Sequence, residues 1–380
     1  PYYGGRTPTF DGWSIGAQIL ATNNMTATIS YVGNQGHFLV PTGSPRGYWS
    51  NQLDPAYLSL GTTVLGASAS AGMPAGTSLP YATFNNKVSQ ALVAFPQYSG
   101  VTDQLPAVGN TNYNALQIFV QQRLSRGLGF MVSYTLSKTI DDVGTFRTGY
   151  AIPSGVLANS SKAYPIDRIE RSLSTQDQRQ NLVGTATYDL PFGKDHIGGG
   201  NPIVRALVSD WRLSGIFTYV SGNPLALTGA ACSGITGQGT CMPEYAPGFT
   251  GSARQNGKWG QGATAATLSK IQYINPAAFA EDSGDTLGNT ARTAPDGLTG
   301  PGNYNLDASV RRSFSLWRDG RVKFVFDASA FNTFNHVWFG SASSTADGKI
   351  AVSVGSSSLG TVSGQANNPR QFQLSGHINF

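Results

Sequence analysis

Apolar and polar residues alternate strictly along about nine segments of this 380-residue chain, and a period of two is the signature of a half-buried β-strand. The clearest segment runs from Tyr304 to Leu316. Tyr304, Leu306, Ala308, Val310 and Phe314 fall on one face, and Asn305, Asp307, Ser309, Arg311, Ser313 and Ser315 on the other. Arg312 alone interrupts the apolar file, near one end, where a long side chain is expected to snorkel towards a polar boundary. The next segment sets Val322, Phe324, Phe326, Ala328 and Ala330 against Lys323, Asp327 and Ser329. Trp317, Arg318 and Asp319 join the two as a tight hairpin turn.

Further back, Leu128, Phe130, Val132, Tyr134 and Leu136 alternate with Gly129, Ser133, Thr135 and Ser137. Trp211, Leu213, Phe217 and Tyr219 alternate with Arg212, Ser214 and Thr218. Weaker strands are read at 13–20, 25–33, 113–122 and 179–189, and the last strand at about 370–380. The connections are short at 21–24, 123–127 and 317–319, medium at 190–209, and long at 34–112, 138–178, 220–303 and 333–369. Every second connection of an up-and-down meander lies at the same end, so all the long ones share one rim. The expected fold class is therefore all-β: an antiparallel up-and-down transmembrane β-barrel segment with short periplasmic turns and long extracellular loops. Bacterial single-chain barrels have even strand numbers, so about nine strands imply part of a larger barrel or one strand miscounted. The long loops, rich in Gly, Ser, Thr, Asn and Pro, are expected to be surface-exposed and partly mobile. Ile350–Val354 reads as an excursion within the last loop, with no partner evident.

Composition agrees with this pattern. Charged residues are only 12% of the chain, whereas Gly (47), Tyr (16) and Phe (19) are plentiful. No apolar run approaches the roughly 18 residues that a spanning helix needs, which excludes a helical membrane protein. The net charge of +5 is spread without basic runs, so no nucleic-acid partner is expected. Cys232 and Cys241 lie nine apart in a Gly/Ser/Thr-rich segment that suits a small disulfide loop in an oxidising compartment better than a metal site. The sequence opens at Pro1 without a signal peptide, which an exported barrel requires, so a processed or truncated chain is expected.

At the C-terminus, Phe380, Ile378, Leu374 and Phe372 share a face opposite Asn379, His377, Ser375, Gln373 and Gln371. A terminal aromatic closing such a strand resembles the assembly signal of bacterial outer-membrane barrels. With the C-terminus in the periplasm, each long connection becomes extracellular. Trp13, Tyr134, Tyr188, Trp211, Tyr219, Phe314 and Trp317 lie near strand ends on the apolar face and suit an aromatic girdle at the lipid boundary. The core of a soluble sandwich would look the same in sequence.

Candidate chemistry is sparse. His37, His196, His336 and His377 have no metal-ligand spacing. Asp141 and Asp142 begin a long loop, where a solvated turn is a better reading than a cation site. Asp177, Arg179, Arg311, Lys323 and Asp327 fall near lumen-facing positions and read as the polar lining of a wet interior. The Gly-x-Gly fragments at 237–239 and 300–302 open no helix after a strand, and neither a nucleophile elbow nor a catalytic triad is evident. Neither enzymatic activity nor a cofactor is expected.

Several phrases carry a family resemblance: Tyr113-Asn-Ala-Leu-Gln117, Gly127-Leu-Gly-Phe-Met-Val-Ser-Tyr-Thr-Leu-Ser-Lys138, Tyr188-Asp-Leu-Pro-Phe-Gly193, Ser221-Gly-Asn-Pro224, Phe331-Asn-Thr-Phe-Asn-His336 and Pro369-Arg-Gln-Phe-Gln373, with Tyr31-Val-Gly-Asn-Gln-Gly36 near the start. In this order they resemble the C-terminal barrel of TonB-dependent receptors related to Oar, common in Acidobacteria. The resemblance implies a barrel of about 22 strands around an N-terminal plug, with a TonB-contacting box and often a carboxypeptidase-regulatory-like domain ahead of it. Residues 1–380 would be the C-terminal part of that barrel, with the plug and earlier strands absent from this sequence. Its implied partners are outer-membrane lipid, the barrel assembly machinery, the TonB system through the N-terminal region, and an extracellular ligand for uptake. The alternatives are a passive porin or adhesion barrel and a secreted or surface-released β-rich structural protein. By itself the segment is not expected to close into a monomeric barrel, because nine strands leave two unpaired edges.

Overall fold

The computed structural model describes residues 6–40, 47–49, 51, 53–99, 101–104, 107, 109–142, 171–192, 200, 203–204, 208–228, 243–255, 272–281, 289–316, 322–340, 350–362 and 364–380. Cys232, Cys241, Trp317, His196 and Gly237–Gly239 lie outside them. Among the described residues there are nine long strands: β1 (Thr9–Thr22), β2 (Met25–Leu39), β3 (Gly109–Ser125), β4 (Leu128–Asp141), β5 (Gln180–Asp189), β6 (Trp211–Val220), β7 (Asn303–Ser315), β8 (Lys323–Phe331) and β9 (Gln371–Asn379). Each pairs antiparallel with its neighbour in sequence, so the sheet order is the chain order, with β1 and β9 at the two edges. A two-residue strand, Ser172–Leu173, adds to the extracellular end of β4.

The register fixes the faces. Tyr134 lies opposite Leu182, Leu182 opposite Tyr219 and Tyr219 opposite Tyr304, and the apolar file continues through Leu306, Ala308 and Val310 to Leu213, Ala328 and Leu374. This outward face leaves Ile15, Ile19, Ile29, Leu116, Leu136, Leu213, Phe372, Leu374 and Ile378 exposed. An apolar surface this extensive is covered by lipid rather than water. The inward face is mainly hydroxyls, amides and charges, with scattered apolar side chains such as Val32, Phe119, Met131, Val183, Ile216 and Val325.

Four strands are longer than their alternation indicated. β1 begins at Thr9 and not 13, β2 runs on to Leu39, β3 begins at Gly109, and β4 ends at Asp141. The added residues at the extracellular ends of β2, β3 and β4 include Asn34, Gln35, Asn110, Asn112, Lys138 and Thr139. Above the membrane both faces of a strand are wet, so the hydrophobic period vanishes while the hydrogen-bond ladder continues. Between β3 and β4 the chain reverses through Arg126 (φ 51°) and Gly127 (φ 82°), the two positive φ values of a type I′ hairpin turn. At Gly33 the Trp13 ring covers the backbone so closely that a Cβ would lie 2.2 Å from it.

Three of the long loops carry buried cores that their composition did not suggest. Among the described residues, Ala115 is the only buried apolar side chain in a long strand; the others lie in loops. Leu53, Leu58, Leu65, Ala69, Phe84, Val88, Ala91 and Val93 form a core within the β2–β3 connection. The β6–β7 and β8–β9 connections share a second one, built around Leu225, Tyr273, Ile274, Leu298, Ile350, Leu359 and Val362. Bridges from Thr228 to Ser353 and from Gln272 to Thr361 stitch these two loops together, and Ile350, which lacked an evident partner, pairs with Val362. Arg312 does not snorkel. It is 5% exposed, with its guanidinium 4.2 Å from the Phe314 ring centroid and 5.3 Å from that of Trp211, because flanking aromatic rings offer it cation–π contacts in place of water.

Candidate functional site

At the extracellular ends of β2, β3 and β4, polar residues surround a cavity of about 230 Å³: Gln35, His37, Asn110, Thr111, Asn112, Asp141, Asp142 and Arg171, with Ile140 as the apolar wall. A hydrogen-bond chain organises it. His37 Nδ1 lies 3.0 Å from Asn110 Oδ1, and Asn110 donates to Asp142 through its backbone N–H (2.5 Å) and its side-chain amide (2.9 Å). Burial pushes the Asp142 carboxyl above the ordinary value, outweighing the Asn110 hydrogen bonds that favour its charged form. Asp141 and Asp142 thus form a built, desolvated cluster and not the solvated turn expected for them.

Arg292, from the β6–β7 loop, is buried beside this cluster and donates through Nη2 to the Asp141 carbonyl (3.0 Å) and carboxylate. Its neighbour Thr293 donates to the Leu173 carbonyl and lies 2.8 Å from the Ser172 hydroxyl. The shared loop core is thereby tied to the tip of β4, 151 residues away in sequence. Asp177 serves the same rim: it is buried, its carboxyl raised by burial, and it accepts from the Thr139 N–H at 2.6 Å. It braces β4 rather than lining a channel. Arg179 is engaged there through its carbonyl, which accepts from the Ser137 N–H.

Near the short turns, the inward face carries a row of charges across four strands. Asp189 lies opposite Arg212, Arg212 opposite Arg311, and Arg311 opposite Asp327. Arg212 binds Asp189 in a bidentate geometry at 2.5 and 3.1 Å, and Arg311 Nε lies 3.0 Å from Asp327. These pairs are exposed enough that each contributes roughly 0–1 kcal/mol. Of the charges expected to face the lumen, Arg311, Lys323 and Asp327 do so; Asp189 and Arg212 complete the row, a pairing visible only once the register is known.

Trp13, Tyr134, Tyr188, Trp211, Tyr219 and Phe314 all lie on the outward face, as do Phe372, Leu374 and Ile378 of β9. Several phrases of the family resemblance have local structural reasons. In Ser221-Gly222-Asn223-Pro224, a Cβ at Gly222 would lie 1.8 Å from the Gly300 carbonyl, and Gly300 N–H donates to Asn223. In Phe331–His336, Asn332 adopts φ 49° and its amide ties His336 to Asn368.

Among solved structures, the chain is similar to the outer membrane transporter YddB from Escherichia coli (TM-score 0.43, 8% identity, covering 100% of this chain and 33% of that one). It is also similar to the ferric-catecholate import receptor Fiu from E. coli (0.36, 10%, covering 98% and 28%) and to the ferripyoverdine receptor of Pseudomonas aeruginosa (0.37, 9%, covering 97% and 27%). The chain thus spans a third or less of the length of these structures. No curated protein matches it. The family model described as outer membrane beta barrel domain matches residues 3–373, and the chain accordingly belongs to that family, its sheet forming part of a barrel wall in the outer membrane.

Proposed function

We propose that this chain is the C-terminal part of the barrel of a TonB-dependent receptor of the Oar-like type found in Acidobacteria, and that it takes part in ligand capture and uptake at the cell surface without enzymatic activity. In this reading, a plug and a TonB-contacting segment belong to the portion of the protein ahead of these strands. The observation that carries the proposal is the folded extracellular cap: three long loops with buried cores, one of them tied by Arg292 to the polar cavity at the tips of β2–β4. A passive pore has little use for so large an ordered surface above its rim, whereas a receptor needs groups preorganised for its ligand. The largely apolar outward face supports a membrane wall over a secreted fibre.

The test is the native polypeptide. Intact mass and N-terminal sequencing of the protein from fractionated outer membranes should give a chain about twice this length or longer, beginning with a plug. A membrane-embedded polypeptide without a plug or TonB-contacting segment would refute the receptor reading and favour the porin.

A further inference from the structure

A second cleft lies outside the barrel wall. Across β5–β7 the outward row Leu182, Tyr219 and Tyr304 is the last before the face turns polar; two residues nearer the loops, the corresponding positions are Gln180 on β5 and, just beyond β6 and β7, Ser221 and Gly302. Tyr304 therefore marks the extracellular border of the lipid-covered surface on β7. The His336 imidazole stacks on its ring, with centroids 3.8 Å apart and planes inclined by 17°, and Trp338 Nε1 donates to the Tyr304 carbonyl at 2.9 Å. Phe334, 60% exposed, packs edge-on to Tyr304. Tyr304, Phe334 and His336, together with Arg254, Asn303 and Phe339, line a cleft of about 540 Å³.

Two guanidinium groups flank the same segment. Arg254 lies over the Tyr273 ring at 5.2 Å. Arg370 reaches the Thr333 carbonyl at 3.3 Å, its backbone N–H donates to Asn335, and its guanidinium lies 5.4 Å from the ring centroid of Phe372, itself 71% exposed on the outward face. Among the described residues, neither arginine is paired with a carboxylate. Exposed rings at the apolar border, with guanidinium groups beside them that no carboxylate among the described residues neutralises, match an amphiphile that has acyl chains below and an anionic head above. Arginine's planar fork suits phosphate in particular.

We propose that this outward cleft binds the phosphate-bearing headgroup of an outer-leaflet lipid, with Arg254 and Arg370 holding the phosphate and Tyr304, Phe334 and Phe372 packing against the apolar part. The site faces away from the lumen, so it is independent of the route taken by any transported ligand.

Native mass spectrometry of the protein purified from outer membranes, delipidated and titrated in detergent with diphosphorylated lipid A or its fully dephosphorylated form, tests this. Retention of the phosphorylated lipid alone is expected. Arg254→Ala/Arg370→Ala should weaken it about 30-fold, since each cation near an anionic lipid surface contributes roughly fivefold. Arg254→Lys/Arg370→Lys should recover part of that loss, and the charge-matched control Lys87→Ala/Arg123→Ala should retain the lipid fully. Equal retention of the two lipids by the unsubstituted protein would overturn the proposal without recourse to any variant. So would displacement by millimolar inorganic phosphate, which would identify a free-anion site, or equal weakening by the control pair.

Discussion

Replacing Arg292 with methionine should release the extracellular cap from the barrel. The side chain is only 1% exposed, its partner Asp141 is 12% exposed, and the loop it anchors holds the core shared by two connections. Breaking a buried ion pair by deleting one partner costs about 3–5 kcal/mol, because the remaining charge is left in a medium that solvates it poorly. Asp141 regains some water at its partly open edge, so the lower figure applies. About 3 kcal/mol corresponds to roughly a hundredfold rise in the population of the detached loop. Limited proteolysis of intact cells reads this directly, since cleavage within the β6–β7 loop follows the open fraction when opening is fast. The barrel itself should keep its heat-modifiable migration, because none of the eight ladders joining its nine strands is touched. In the double variant Arg292→Met/Asp141→Leu both charges leave together and apolar contact replaces them, so most of the protection should return. Cleavage of Arg292→Met at the parental rate, or a double variant as open as the single one, would refute the assignment of Arg292 as a tether.

Two further outcomes follow from buried groups in the same cap. Tyr273 is fully buried and its hydroxyl donates to the Thr299 carbonyl at 2.6 Å, so Tyr273→Phe should destabilise the shared loop core by about 1–3 kcal/mol, seen as faster proteolysis within the β6–β7 and β8–β9 loops with unchanged barrel migration. The Asp142 carboxyl is raised by burial, so the folded rim binds its proton more tightly than the unfolded chain; that contribution is fully present below the unfolded value and is lost as pH rises through the folded one. Protection of the rim should therefore increase as pH falls from neutral into the acid range, and a pH series of proteolysis rates that Asp142→Asn leaves unflattened would contradict this.

Much of the membrane-spanning part could be read from residue order alone. A strand in a barrel wall has lipid on one side and a wet interior on the other, which forces the alternation at Tyr304–Ser315 or Leu128–Leu136, and the spacing of those runs gives the meander and its two unequal rims. Where the two environments become alike the signal ends, which is why Asn34–Leu39, Gly109–Asn112 and Lys138–Asp141 were invisible as strand. Arg312 shows the limit of reading one strand by itself: its polar character is evident in sequence, but the Trp211 ring that shelters it lies on β6 and reaches it only through the register.

The sequence by itself determined which faces meet lipid, how many strands recur and where the reversals fall, because these depend on local periodicity and turn chemistry. Only the tertiary structure decided what the loops do. The core shared by two of them draws on residues more than 130 positions apart, such as Leu225 and Leu359; the tether joins Asp141 to Arg292; and the outward cleft sets Arg254 beside Tyr304 and His336. No periodic pattern encodes such contacts, since irregular backbone has no fixed repeat and each partner is chosen by packing across the rim rather than by its place along the chain.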